Sequence, residues 1–174
     1  MKVLAIIPAR GQSKGLPGKN IKLFNGIPLI AHSIKVALSS KLTDRVIVTT
    51  DDEEIANISE DYGAEVPYMR PTEIAGDKST DQEYLRHALD WFSNRDESYD
   101  LVVLLRPTCL FRRPEDIDNA IEKLGSSDFD SIRGVSEVSY SPFWMKKKQN
   151  NQLVSFVDSQ YEYSLRQLLP EVVQ

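Results

Sequence analysis

Three cations and three glycines share one short stretch near the start of the chain. It reads Pro8-Ala-Arg-Gly-Gln-Ser-Lys-Gly-Leu-Pro-Gly-Lys-Asn20, so Arg10, Lys14 and Lys19 are interleaved with Gly11, Gly15 and Gly18. Glycines let backbone N–H groups approach an anion closely, and basic side chains neutralise it, so this composition suits a polyphosphate. The stretch is not a Walker loop. Asn20 follows Gly18-Lys19 where that motif needs Ser or Thr, and Ser13 stands where its first glycine belongs. Gly-x-Gly-x-x-Gly is also absent from the loop, which argues against a hydride-transferring dinucleotide enzyme. The residues alone leave two readings open: a phosphate cradle, or a solvated loop turned by its glycines.

Positioning such a loop requires a rigid frame, and the flanking pattern supplies one. Residues 3–7 are an apolar run ended by Pro8, the signature of a buried strand, so the cationic loop leaves that strand's carboxyl end. Pro28 then opens a helix that presents Ile30, Ile34 and either Ala37 or Leu38 on one face. Residues 45–50 return as a second strand. Asp51 is placed to cap the next helix, with Asp52, Glu53 and Glu54 suiting its dipole and Ile55 and Ile58 facing inward. Residues 65–69 read as a third extended segment.

Thr80 and Glu83 have capping-box spacing, and a helix follows with Leu85, Leu89 and Phe92 at helical intervals. Residues 101–105 form an unbroken apolar strand, residues 114–124 a helix begun by Pro114, and residues 131–136 a further strand. Alternating strands and helices specify the α/β class, a three-layer, mainly parallel sheet of Rossmann-like type. Beyond Val138 the texture changes to aromatics, a lysine run at 146–148 and a polar turn at 149–152, which predicts a hairpin-like extension. The expected organisation is an α/β core over 1–137 and an extension over 138–170, with 171–174 beyond it.

The chain has 174 residues, 41% of them hydrophobic, enough for one core without covalent staples. Its net charge of −5 offers no general attraction to nucleic acid or anionic membranes. Cys109 is the lone cysteine, so no internal disulfide marks an oxidising compartment, and a cytoplasmic setting is expected. Asp51 and Asp52 could ligate a metal, but helix capping explains them more simply. His32 and His87 read as packed or surface histidines, and Cys109 as a small apolar residue.

The whole string from Ile7 to Asn20 closely resembles the opening signature of the acylneuraminate cytidylyltransferases, the CMP-sialic acid synthetase family. The likeness continues through residues 25–34, 44–51, 69–71 and 104–108 and reaches Arg166-Gln-Leu-Leu-Pro170. It implies a nucleotide-diphospho-sugar transferase-like fold in which the first loop holds CTP. By motif position, Ala9, Arg10, Gly11, Ser13, Lys14 and Asn20 would meet the nucleotide, with Arg70, Ser79 and Asp81 completing the pocket. Arg10, Lys19 and Arg166 would be the catalytic cations, and Arg106, Arg166 and Gln167 would face the sugar. The implied reaction is attack by the anomeric hydroxyl of a nine-carbon acidic sugar on the α-phosphorus of CTP, with Mg²⁺ and release of pyrophosphate. A homodimer is implied as well, formed through the extension.

Two departures qualify the match. Arg106 replaces the glutamine of better-known sialic acid synthetases, and Cys109-Leu-Phe111 replaces their Ser-Pro-Leu. An added cation at the sugar end points toward a relative such as legionaminic acid, while Lys14-Gly-Leu-Pro17 leans away from the pseudaminic branch. The family's metal-holding aspartates are expected beyond Gln174, so none is assigned within this sequence. The competing expectations are a cytidylyltransferase for another sugar acid such as KDO, and a non-catalytic nucleotide-binding module.

Overall fold

A computed structural model of the chain describes residues 1–12, 15–158, 160–161 and 164–173, without the side chain of Arg166. Two compact units are present, Met1–Asp130 and Ser131–Gln174, where the change in sequence texture put the boundary after residue 137.

The first unit begins with β1 (Val3–Pro8), followed after the cationic loop by two short antiparallel strands, β2 (Leu23–Phe24) and β3 (Ile27–Pro28). Then come α1 (Leu29–Ser39), β4 (Arg45–Thr49), α2 (Glu53–Asp61), α3 (Asp81–Ser93), β5 (Leu101–Leu104) and α4 (Pro114–Gly125). β1 lies between β4 and β5, parallel to both. Its alternation explains why it can be central. Val3, Ala5 and Ile7 pack with residues of α1, α2 and α4, whereas Leu4 and Ile6 pack with Ala88 and Phe92 of α3. Helices therefore cover both faces, as a parallel sheet requires.

Several elements differ in detail from their sequence expectation. Ala37, not Leu38, completes the buried face of α1. Asp52 rather than Asp51 caps α2, its Oδ1 accepting the Ile55 N–H at 3.0 Å. Ile55 is buried and Ile58 only half-buried. The capping box of α3 forms, with Thr80 N–H donating to the Glu83 carboxylate at 2.5 Å. Its buried stripe, however, is Tyr84, Ala88 and Phe92, one position before the expected leucines. Ala88 lets the helix lie close to Leu4 and Ile6, while the two aromatics bury more area than Leu85 and Leu89 would.

Residues 65–69 make two isolated parallel bridges, Ile47 with Glu65 and Thr50 with Met69, instead of a continuous strand. Pro67 lies between them and has no N–H to donate to the ladder.

The second unit contains the hairpin predicted from its polar turn, formed by β6 (Lys146–Gln149) and β7 (Gln152–Ser155) with Asn150 and Asn151 both at positive φ. The strand expected over 131–136 is not formed. Among the described residues those positions pair with no strand, and only Glu137 bridges, to Val173. An extended run without a partner strand has no ladder to join.

Candidate functional site

A cleft of about 350 Å³ opens outside the carboxyl ends of β1, β4 and β5. Parallel sheets place ligands at this edge, because their strand-to-helix loops converge there. Each outgoing segment contributes a cation: Arg10 and Lys19 after β1, Arg70 after β4, and Arg106 after β5. Asn20, Ser79 and Asp81 line the same hollow, so seven of the residues predicted from sequence are brought together. Ser13 and Lys14 fall outside the described residues. Arg166 and Gln167 belong to the second unit, in the short turn Arg166–Leu168; Gln167 is exposed, and the Arg166 side chain is outside the description.

The loop after β1 is fastened at both ends. The Asn20 amide donates to the Arg10 carbonyl at 3.1 Å and is buried, which closes the loop on itself. Gly18, at φ 63, takes the left-handed conformation that starts the turn carrying Lys19. Gly11 lies against the start of α2: its N–H donates to Asp51 Oδ1 at 2.9 Å, and a Cβ there would sit 2.5 Å from Asp52 Oδ2. This N–H is therefore committed to Asp51 and not offered to an anion. It also gives the two aspartates distinct duties, Asp51 holding the loop and Asp52 the helix. Ala9 extends the β1–β4 ladder through its N–H to Thr49 O at 3.0 Å, and its side chain is core, so it can serve the cleft only through backbone.

Arg70 is the most deeply set of the cations, at 6% exposure. Its Nε donates to Thr49 Oγ1 at 3.1 Å, its Nη2 to Thr49 O, and its guanidinium lies over the Tyr84 ring at 4.7 Å from the centroid. Burial holds its pKa below the ordinary arginine value, with the Asp51 charge opposing that effect. A guanidinium nonetheless remains charged through the physiological range.

Two carboxylates balance part of this charge. Asp77 pairs with Arg10 at 2.9 Å, and Asp81 accepts from Arg106 Nη2 and from the Tyr84 hydroxyl. Burial first, then the bond to Asp81, pushes the Tyr84 phenol well above its usual pKa, so it stays a donor. Lys19 makes no ion pair among the described residues. Tyr84, Asp77 and Thr108 line the cleft without having been singled out from sequence. Tyr84 carried the only usable signal, one turn after the capping box on the face that α3 buries.

Among the described residues no three His, Cys, Asp or Glu side chains cluster to hold a metal. No helix there is long and apolar enough to cross a membrane.

Residues 4–169 match the family described as Cytidylyltransferase. The chain is 42% identical over 146 residues to a CMP-N,N′-diacetyllegionaminic acid synthase of Legionella pneumophila, covering 84% of this chain and 62% of that protein. It is 33% identical to a pseudaminic acid cytidylyltransferase of Campylobacter jejuni, covering 93% of this chain and 70% of the relative. The match thus spans just under two thirds of the length of the first of these relatives. A solved CMP-2-keto-3-deoxy-manno-octonic acid synthetase complexed with CTP shares the fold, with a TM-score of 0.62 at 24% identity over 73% of this chain and 48% of that one.

Proposed function

The chain belongs to the cytidylyltransferase family, and from that premise we propose that it transfers CMP from CTP to the anomeric hydroxyl of a nonulosonic acid. The anomeric oxygen forms a bond to the α-phosphorus, the bond from that phosphorus to the bridging oxygen breaks, and pyrophosphate leaves with the electron pair. The hydroxyl proton passes to solvent.

One observation carries the proposal. A protein with 26 acidic and 21 basic residues gathers Arg10, Lys19, Arg70 and Arg106 into one hollow with only Asp77 and Asp81 among them. Fixed cations around a transferring phosphoryl group stabilise charge as it builds on the leaving oxygen, and this is the main work of such catalysis. In this reading Arg10 and Lys19 meet the phosphates, together with Lys14 from the same loop. Arg70 and Asn20 face the nucleoside, with Ser79 beside them. Arg106, Arg166 and Gln167 serve the sugar. Mg²⁺ is the proposed cofactor, and it would add positive charge at the triphosphate.

The higher identity to the legionaminic relative than to the pseudaminic one, with Arg106 at the sugar end, makes a legionaminic-type acid the first substrate to assay. The reaction is assigned to the cytoplasm, where CTP is made. A homodimer is proposed through the second unit, whose Leu153, Leu165 and Leu168 are largely exposed; sedimentation at increasing concentration checks it.

The test is pyrophosphate release from CTP and Mg²⁺ with a panel of nonulosonic acids and KDO, alongside calorimetry with CTP, UTP and ATP. Turnover with a nonulosonic acid supports the proposal, and preference for KDO replaces the sugar. CTP binding without turnover on any acid favours a nucleotide-binding module instead.

A further inference from the structure

Resting on the cytidylyl-transfer reading above, we propose that Asp81 and Tyr84 are positioning residues that hold Arg106 for the carboxylate of the acidic sugar. The resemblance alone would put Asp81 against the nucleotide, but each of its oxygens already accepts a hydrogen bond from a neighbouring side chain. Oδ1 accepts from the Tyr84 hydroxyl at 2.5 Å, and Oδ2 from Arg106 Nη2. Asp81 and Tyr84 lie three residues apart in the first turn of α3, where side chains meet on one face. The capping box fixes that turn. Burial of Tyr84 at 6% exposure beneath the Arg70 guanidinium fixes its ring.

The Asp81 carboxylate is therefore a rigid acceptor that fastens one corner of Arg106. The remainder of that guanidinium is presented outward. Its side chain is 59% exposed, and among the described residues its Nε and Nη1 make no hydrogen bond. Nη2 keeps a second hydrogen, and together with the neighbouring Nε–H or Nη1–H it forms the two-pronged face that bidentate recognition of a carboxylate requires.

Strand order places this fork at the sugar end. Arg70 N–H bonds Thr50 O alongside β4, Arg10 follows the central β1, and Arg106 follows β5 on the far side. With neighbouring strands about 4.8 Å apart, the chain reaches Arg106 roughly 14 Å across the sheet edge from Arg70. A triphosphate gathered by Arg10 and Lys19 at the middle leaves the β5 end for the second substrate. The bridge Arg70–Tyr84–Asp81–Arg106 also joins the two half-sites through a single helix turn.

The experiment compares wild type, Asp81→Asn, Asp81→Glu and Tyr84→Phe in the pyrophosphate assay. The substrates are the nonulosonic acid of highest turnover and its C1 carboxamide, which keeps the sugar but removes the charge. Asp81→Asn is expected to raise KM for the acid about tenfold, with kcat changed less than about threefold. Calorimetric affinity for CTP should stay within about twofold, and the preference for acid over carboxamide should fall by about the same factor as KM rises. Tyr84→Phe should shift the same quantities less, and Asp81→Glu should recover part of the loss. Circular dichroism melts identify variants that fail to fold. An unchanged acid-to-carboxamide preference in folded Asp81→Asn, or an equal loss of CTP affinity, overturns the positioning role while leaving the transferase reading intact. If wild type turns over no acidic sugar, both readings fall together.

Discussion

Gly11→Ala tests whether the cationic loop is seated on the start of α2. The new Cβ would lie 2.5 Å from Asp52 Oδ2 and 2.8 Å from Asp52 Cβ, both well inside van der Waals contact. The methyl group can enter only if Asp52 moves, and Asp52 is the cap that accepts the Ile55 N–H. Loss of such a cap costs about 1 kcal/mol, and overpacking a tight contact adds about 1–3 kcal/mol. Gly11→Ala should therefore destabilise the protein by about 2–4 kcal/mol. Asp52→Gly alone should cost only a few tenths of a kcal/mol, roughly, because glycine is an acceptable cap. It also removes the three side-chain atoms nearest to the methyl. In that background Gly11→Ala should cost under about 1.5 kcal/mol, leaving a coupling of about 1–3 kcal/mol between the two positions. Urea midpoints of the four proteins measure this directly. Calorimetry with CTP on the same four should show affinity lost in Gly11→Ala and partly restored in the double variant. Strictly additive costs would refute the seating of the loop on the helix.

Lys19→Met should leave the urea midpoint within about 0.5 kcal/mol of wild type, since Lys19 has no ion pair among the described residues, while pyrophosphate release falls about a hundredfold. Arg70→Met removes the donors to Thr49 and leaves that buried carbonyl with one acceptor position unfilled. It should cost about 1–3 kcal/mol in urea unfolding and weaken CTP binding about thirtyfold by calorimetry. Asp118 accepts from Ser40 Oγ at 2.6 Å and from the Lys41 N–H at 3.1 Å, and the Ser40 bond holds its pKa below the ordinary carboxylate value. A depressed carboxylate stabilises the fold above its unfolded pKa of about 4 and loses that contribution as pH falls through its folded pKa. The urea midpoint of wild type should thus exceed that of Asp118→Asn at neutral pH, with the gap closing on acidification below about pH 4.

The chemistry-bearing loop, the order of strands and helices and the capping box of α3 were all legible in the residues, because each rests on local spacing. A helix cap needs Thr80 and Glu83 three apart. A buried central strand needs apolar residues on both alternations, and 3–7 has them. Closely similar neighbours in sequence were harder to separate. Asp51 and Asp52 are both good caps, and only the seat of Gly11 against α2 decides that one holds the loop and the other the helix. Leu85 and Leu89 fit a helical period as well as Tyr84 and Ala88 do, and the choice fell to whichever face matched Leu4 and Ile6 across the sheet. The strand expected at 131–136 failed for a related reason, since an extended run becomes a strand only where a partner lies beside it.

Spacing alone thus established a cationic, glycine-bearing loop at the end of a buried strand in an α/β frame. Tertiary structure decided what that loop faces. Arg70 and Arg106 are separated along the chain and reach one cleft because β1 stands between β4 and β5, and Tyr84 links them only because α3 closes over that edge. Contacts of this kind depend on which strands become neighbours, a choice made by the burial of whole faces and not by any short run of residues.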